Sequence, residues 1–209
     1  MQGTNELAFN PSTLKFAENF EVLKVSDAEL SFSALVTANT GIFYDRFYST
    51  PHDTYLDKTN ISANVLYTIP VVLQANHTMN RIGIAVNNAK SNQFIRLGLY
   101  KNNNGIPGEL LIDSGIVPTN TAANKELVIN YATTGTYIWA TCVASSTISV
   151  VSFQDLDIGG MLGRTTVTKG EKISCLTADY TFGPLPEVFP TTTHFTGESP
   201  YIWLRKVSD

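Results

Sequence analysis

Apolar side chains recur at every second residue in one segment after another of this chain, and that period belongs to β-strands with one buried face. In Arg81 to Val86 (RIGIAV) the side chains Ile82, Ile84 and Val86 share a face, and in Phe94 to Lys101 (FIRLGLYK) Ile95, Leu97 and Leu99 do the same. The linker that follows, KNNNGIPGE, packs Asn-Gly and Pro-Gly into a few residues. These favour positive φ and fixed φ respectively, so the chain turns there. Leu110 to Ile112 and Gly115 to Val117 resume as short strands. Glu126 to Asn130, Thr136 to Ala144, Thr147 to Phe153 and Pro200 to Val207 also read as strands, separated by Thr, Asn, Gly or Pro clusters. The expected fold is all-β, an antiparallel sandwich.

The first forty residues follow a different rule. Phe16, Phe20 and Leu23 sit at helical spacing, whereas Leu30, Phe32, Ala34 and Val36 alternate. The reading is a short N-terminal helix or arm followed by a strand, with residues 1–40 as an attachment or oligomerisation arm and 41–209 as one β-sandwich domain. Apolar side chains outside a complete sandwich need a partner surface. Packing on their own sandwich is the open alternative.

Composition narrows the partners. Fourteen Lys and Arg against eighteen Asp and Glu give a net charge of −4, which supplies no basic footprint for a phosphate backbone, so nucleic acid is not an expected partner. The opening MQGTNELAFN lacks the basic start and apolar run of a signal peptide, so synthesis and folding in a cytosol are expected. The longest apolar run, Val65 to Leu73, is interrupted by Thr68 and Pro70 and falls far short of the roughly 20 residues that cross a bilayer. No membrane span is expected. Cys142 and Cys175 are expected to be free, buried thiols.

No common catalytic signature is present. His52, His77 and His194 are scattered without metal-ligand spacing, and the phosphate-binding loop, the dinucleotide glycine motif and the nucleophile elbow are all missing. Structural zinc is not expected. A paired-carboxylate glycosidase, whose acids come from different strands, ranks last among the readings because Asp and Glu are few. Asp155 and Asp157 in QDLDIGG have the chemistry of a calcium loop, but a turn capped by side-chain hydrogen bonds is the preferred reading, with calcium left open. Tyr44, Phe47, Tyr48 and Tyr55 cluster ahead of the first strong strand, and Tyr180, Phe182 and Phe189 cluster in ADYTFGPLPEVFP. Aromatic rings stack on sugars as well as in cores, which makes Tyr180 and Phe182 the candidate glycan contacts and core packing the alternative. Trp139 and Trp203 read as core. The Asn60-Ile61-Ser62 and Asn76-His77-Thr78 sequons carry no weight without a secretory route.

RIGIAV, RLGLYKNNNGIPGELLIDSGIV, TGTYIWATCV and the terminal PYIWLRKV, in that order, resemble a domain recurrent in tailed-bacteriophage virion proteins, including tail fibres and other surface appendages. The matching positions are Arg81 to Ile84, Arg96 to Tyr100, Asn104 to Gly108, Leu110 to Asp113, Gly135 to Trp139 and Trp203 to Arg205, and NVLYTIPVVL is similar to a further strand of the pattern. One departure is Ile138, which separates Tyr137 from Trp139 where the pattern has an adjacent Tyr-Trp pair. The resemblance spans roughly Gly41 to Val207. It implies a β-sandwich or jelly roll exposed on a virion, with no cofactor and no catalytic residues to carry over. The arm lies outside it, so attachment to other virion proteins or to sister chains is expected there, with Phe16, Phe20 and Leu23 as interface candidates. The expected protein is a non-enzymatic virion surface component made in the host cytoplasm, either a head decoration or protrusion subunit or a small fibre subunit. It is expected to be a homo-oligomer; a trimer is natural for a spike-like subunit, and other closed orders are equally allowed. The alternative is a tail-associated receptor-binding module that recognises host surface glycans.

Overall fold

The structure, a computed structural model, describes residues 46–49, 56–154, 156–162 and 172–207. The arm, with Phe16, Phe20 and Leu23, lies outside the described residues, as do Tyr44, Tyr55 and Asp155. The strands are β1 (Phe47–Tyr48), β2 (Leu56–Ile61), β3 (Val65–Val72), β4 (Thr78–Val86), β5 (Phe94–Asn103), β6 (Ile106–Pro118), β7 (Ala123–Ala132), β8 (Tyr137–Ala144), β9 (Ile148–Phe153), β10 (Cys175–Asp179), β11 (Thr193–Phe195), β12 (Ser199–Pro200) and β13 (Ile202–Arg205). One helical turn, α1 (Gly159–Leu162), follows β9.

The pairings nest. β2 pairs with β9, β3 with β8, β4 with β7 and β5 with β6, all antiparallel. A ribbon of antiparallel pairs folded over in this way is the winding of a jelly roll. It yields two sheets. One contains β1-β13-β4-β9-β12, with β2 on β9 and β7 on β4; the other runs β11-β10-β3-β8-β5-β6. The last strands are additions to the nested set: β12 pairs with β9 and β13 with β4, while β4 and β9 meet directly only at Val86 and Val150.

The period-two pattern explains the core. Ile82, Ile84, Ile95, Leu97, Leu99, Ile202 and Leu204 are fully buried and belong to one apolar cluster drawn from both sheets. Each such side chain stabilises the fold by about 1.5–3 kcal/mol relative to exposure. Cys142 and Cys175 are free and buried within it, and Trp139 and Trp203 are buried as expected.

Two local features shape the β5–β6 hairpin. Asn104 and Gly105 carry φ of 50° and 96°, the paired left-handed conformation of a tight hairpin turn. Leu110 to Val117 is not two short strands but part of one, β6, whose register shifts at Leu111 and again at Ser114. Leu97 pairs with Gly115 and Gly98 with Asp113, so Ser114 is the extra residue, and Gly115 takes φ of 92° to absorb it.

Candidate functional site

The segment from Tyr180 to Phe189 is a strap laid over the face of the second sheet opposite Leu97 and Leu99, with Leu185 and Phe189 buried in the apolar cluster. It leaves β10 beside Asn64, whose backbone oxygen accepts from Tyr180 N (2.9 Å) and whose Oδ1 accepts from Phe182 N (2.9 Å). At its far end it reaches β6, where Leu110 N donates to Glu187 O (2.8 Å) and Phe189 N donates to Gly108 O (2.9 Å). Between these anchors it covers Arg96, Gly98 and Tyr100, alternate residues of β5 that face opposite to Leu97 and Leu99. A Cβ on Gly98 would lie 2.2 Å from Leu185 Cδ1 and 2.6 Å from Ile112 O, so only glycine admits the strap here. Tyr100 packs edge-on against Phe189 at 4.9 Å between ring centres, and its hydroxyl donates to Pro186 O at 2.9 Å.

Asp113 is the polar centre of this arrangement. Arg96 Nε donates to both of its carboxylate oxygens (2.7 and 2.9 Å), Leu185 N donates to Oδ2 (3.0 Å) and Gly115 N to Oδ1 (3.1 Å). Partial burial pushes the carboxyl up, but the Arg96 bond and the two backbone N–H groups outweigh it and hold the group below the usual carboxylate range. Burial, with Tyr180 and Asp113 nearby, pushes the Tyr100 phenol well above its ordinary value.

The candidate glycan contacts sit inside this strap. Tyr180 and Phe182 are both half-buried and pack against the core cluster, and the Tyr180 hydroxyl donates to the carbonyl of Pro184. Asp157 is a capping residue: its Oδ1 accepts from Gly159 N (2.9 Å) and Ile173 N (3.2 Å), tying α1 to the start of the segment that leads into β10. Among the described residues no group of three or more His, Cys, Asp and Glu side chains could hold a metal, and no helix is long and apolar enough to cross a membrane.

In the first sheet a second cluster forms around Trp203, on the face opposite Ile202 and Leu204. Gly83 of β4 lies directly beside it; a Cβ there would come within 2.6 Å of the indole and 2.7 Å of Lys125 O. Trp203 Nε1 donates to Glu126 Oε1 (3.2 Å), and Arg205 Nε lies 3.1 Å from the same oxygen as a charge contact without hydrogen-bond alignment. Phe47 stands edge-on to Trp203 at 5.3 Å and beneath the Arg205 guanidinium at 5.4 Å.

Two polar depressions lie elsewhere among the described residues. One, of about 440 Å³, is lined by Lys58, Thr59, Asn60, Asn88, Ser149 and Glu198; the other, of about 320 Å³, by Lys101, Asn102, Asn103, Gly108, Glu109 and Val188. Sequence reasoning missed both: the residues of the first come from four separate stretches of chain and carry no motif, and those of the second lie mostly in KNNNGIPGE, which reads as a hairpin turn. No protein-family model matches the chain, and no curated protein matches it.

Proposed function

We propose that this protein is a non-enzymatic structural component of a tailed-bacteriophage virion, displayed on the particle surface as a head decoration or protrusion subunit or as a small fibre subunit. One observation carries the reading. The segments that resemble the phage appendage domain, spread from Arg81 to Arg205, meet in space, and their distinctive residues serve one another as scaffold. Arg96 holds Asp113 across the β5–β6 hairpin of one segment, Gly83 of the first makes room for Trp203 of the last, and Asn102 Oδ1 accepts from Gly105 N (3.1 Å) of its own segment and from Trp139 Nε1 (3.2 Å) of the next. These residues build the sandwich, and a scaffold of this kind presents its loops for recognition. Attachment to other virion proteins, and assembly with sister chains, is assigned to residues 1–40. Mass spectrometry of gradient-purified particles tests the reading. The full chain is expected at stoichiometric copy number, and a chain lacking residues 1–40 is expected to be absent from the same band. A full-length chain confined to the soluble lysate overturns it.

A second reading, a tail-associated receptor-binding module for host surface glycans, is favoured by the larger polar depression, whose lining offers unspent amide, hydroxyl and charged groups.

A further inference from the structure

We infer that the depression beside β2 and β9 is a binding site for an uncharged sugar unit. The inference rests on the glycan-binding reading and relocates its site away from the strap aromatics. Lys58 and Asn60 alternate on β2 and so share a face, and Asn60 is paired directly with Ser149 of β9. The opposite wall is held rigidly. Asn87 N and Asn88 N both donate to Ser149 O (2.9 and 3.4 Å), while Asn87 Nδ2 donates to Ser149 Oγ (3.1 Å) and Asn88 Oδ1 (3.4 Å). Glu198 is fixed through one oxygen only, Oε2 accepting from Ser152 Oγ at 3.0 Å. Among the described residues, the Lys58 and Asn60 side chains make no hydrogen bond or ion pair.

The chemistry of these groups selects a ligand. A carboxamide both donates and accepts, which suits a hydroxyl that must do both, and a carboxylate with a free oxygen accepts from neighbouring hydroxyls. One ammonium and one carboxylate at the same hollow offset each other, so neither an anion nor a cation gains. The volume of about 440 Å³ lies within the range of small-molecule sites and suits one or two sugar rings. The smaller depression lacks this potential: Lys101 Nζ lies 3.8 Å from Glu109 Oε2, and Asn102 Oδ1 is already shared between two donors.

The test uses the full chain on an array of neutral and acidic oligosaccharides, followed by titration of the best neutral binder. Asn60→Ala and Glu198→Gln, each checked for an unchanged Tm, are expected to weaken binding about tenfold, the loss for one or two hydrogen bonds. Phe182→Ala is expected to leave affinity within about twofold, its ring lying outside the site. Binding lost in Phe182→Ala but retained in Asn60→Ala and Glu198→Gln overturns this inference while the glycan reading stands. Preference for acidic sugars overturns the ligand class, and absence of binding to any oligosaccharide overturns both.

Discussion

Gly98 and Gly83 each admit a neighbour that any side chain would displace, and both obstacles include backbone carbonyls that cannot rotate away. Gly98→Ala and Gly83→Ala are each expected to cost about 2 kcal/mol of stability, lowering Tm by about 4–8 °C in calorimetry. An unchanged Tm for Gly98→Ala contradicts the described seating of Leu185. Asp113 gives a pH-resolved counterpart. Its carboxyl is held below the usual range, so the ionised group contributes stability above the unfolded-state value of about 3.9 and loses it as pH falls through the lower folded-state value. Asp113→Asn is expected to cost about 1.5–3 kcal/mol near neutrality, the range for charge-assisted hydrogen bonds. The gap between the urea midpoints of wild type and variant is expected to hold from pH 8 to pH 5 and to shrink below about pH 4. A gap that does not change with pH excludes Asp113 as an ionised anchor.

At the scale of elements, strands with one apolar face are the ones the sequence reveals. β4 and β5 follow from alternation, because long-range packing and local pattern demand the same residues there, whereas β8, β9 and β13 follow from apolar and β-branched runs bounded by turn residues, β8 being buried at seven of its eight positions. β2 is hidden: LDKTNI buries fully only Ile61, so no alternation marks it, and its place is set by the six-residue register with β9. β10, CLTAD, is buried at four of five positions, and the polar Thr177 among them blurs the pattern. The strap illustrates a different limit. ADYTFGPLPEVFP is legible as an aromatic, proline-rich loop, but which face it covers depends on Gly98, Asp113 and Gly108, each 72 or more residues from its partner in the strap. Its attachment can be separated from the fold as a whole. Leu185→Ala is expected to cost about 2–4 kcal/mol. In hydrogen exchange it is expected to lower protection at the strap-linked amides of Leu110 and Phe189 while Ile82 and Ile84 keep theirs. Uniform loss across both sheets contradicts a strap that detaches as a unit.

Over the whole molecule, the nested pairing closes a core that includes both cysteines. Burial pushes both thiols well above their ordinary value, with Cys142 adding to the effect at Cys175. Neither is therefore a ready nucleophile. A chromogenic disulfide reagent is expected to label neither in the native protein and both in denaturant; rapid labelling of either under native conditions contradicts the described core. The proposed place of the domain on a virion surface is a question about the particle. Immunogold labelling of intact virions, with antibody raised against residues 56–207, addresses it most directly. The proposal requires gold on the particle surface, over the head for a decoration subunit or at the tail for a receptor-binding one. Gold absent from intact and disrupted particles alike, with the antigen recovered only from the infected-cell lysate, would contradict it.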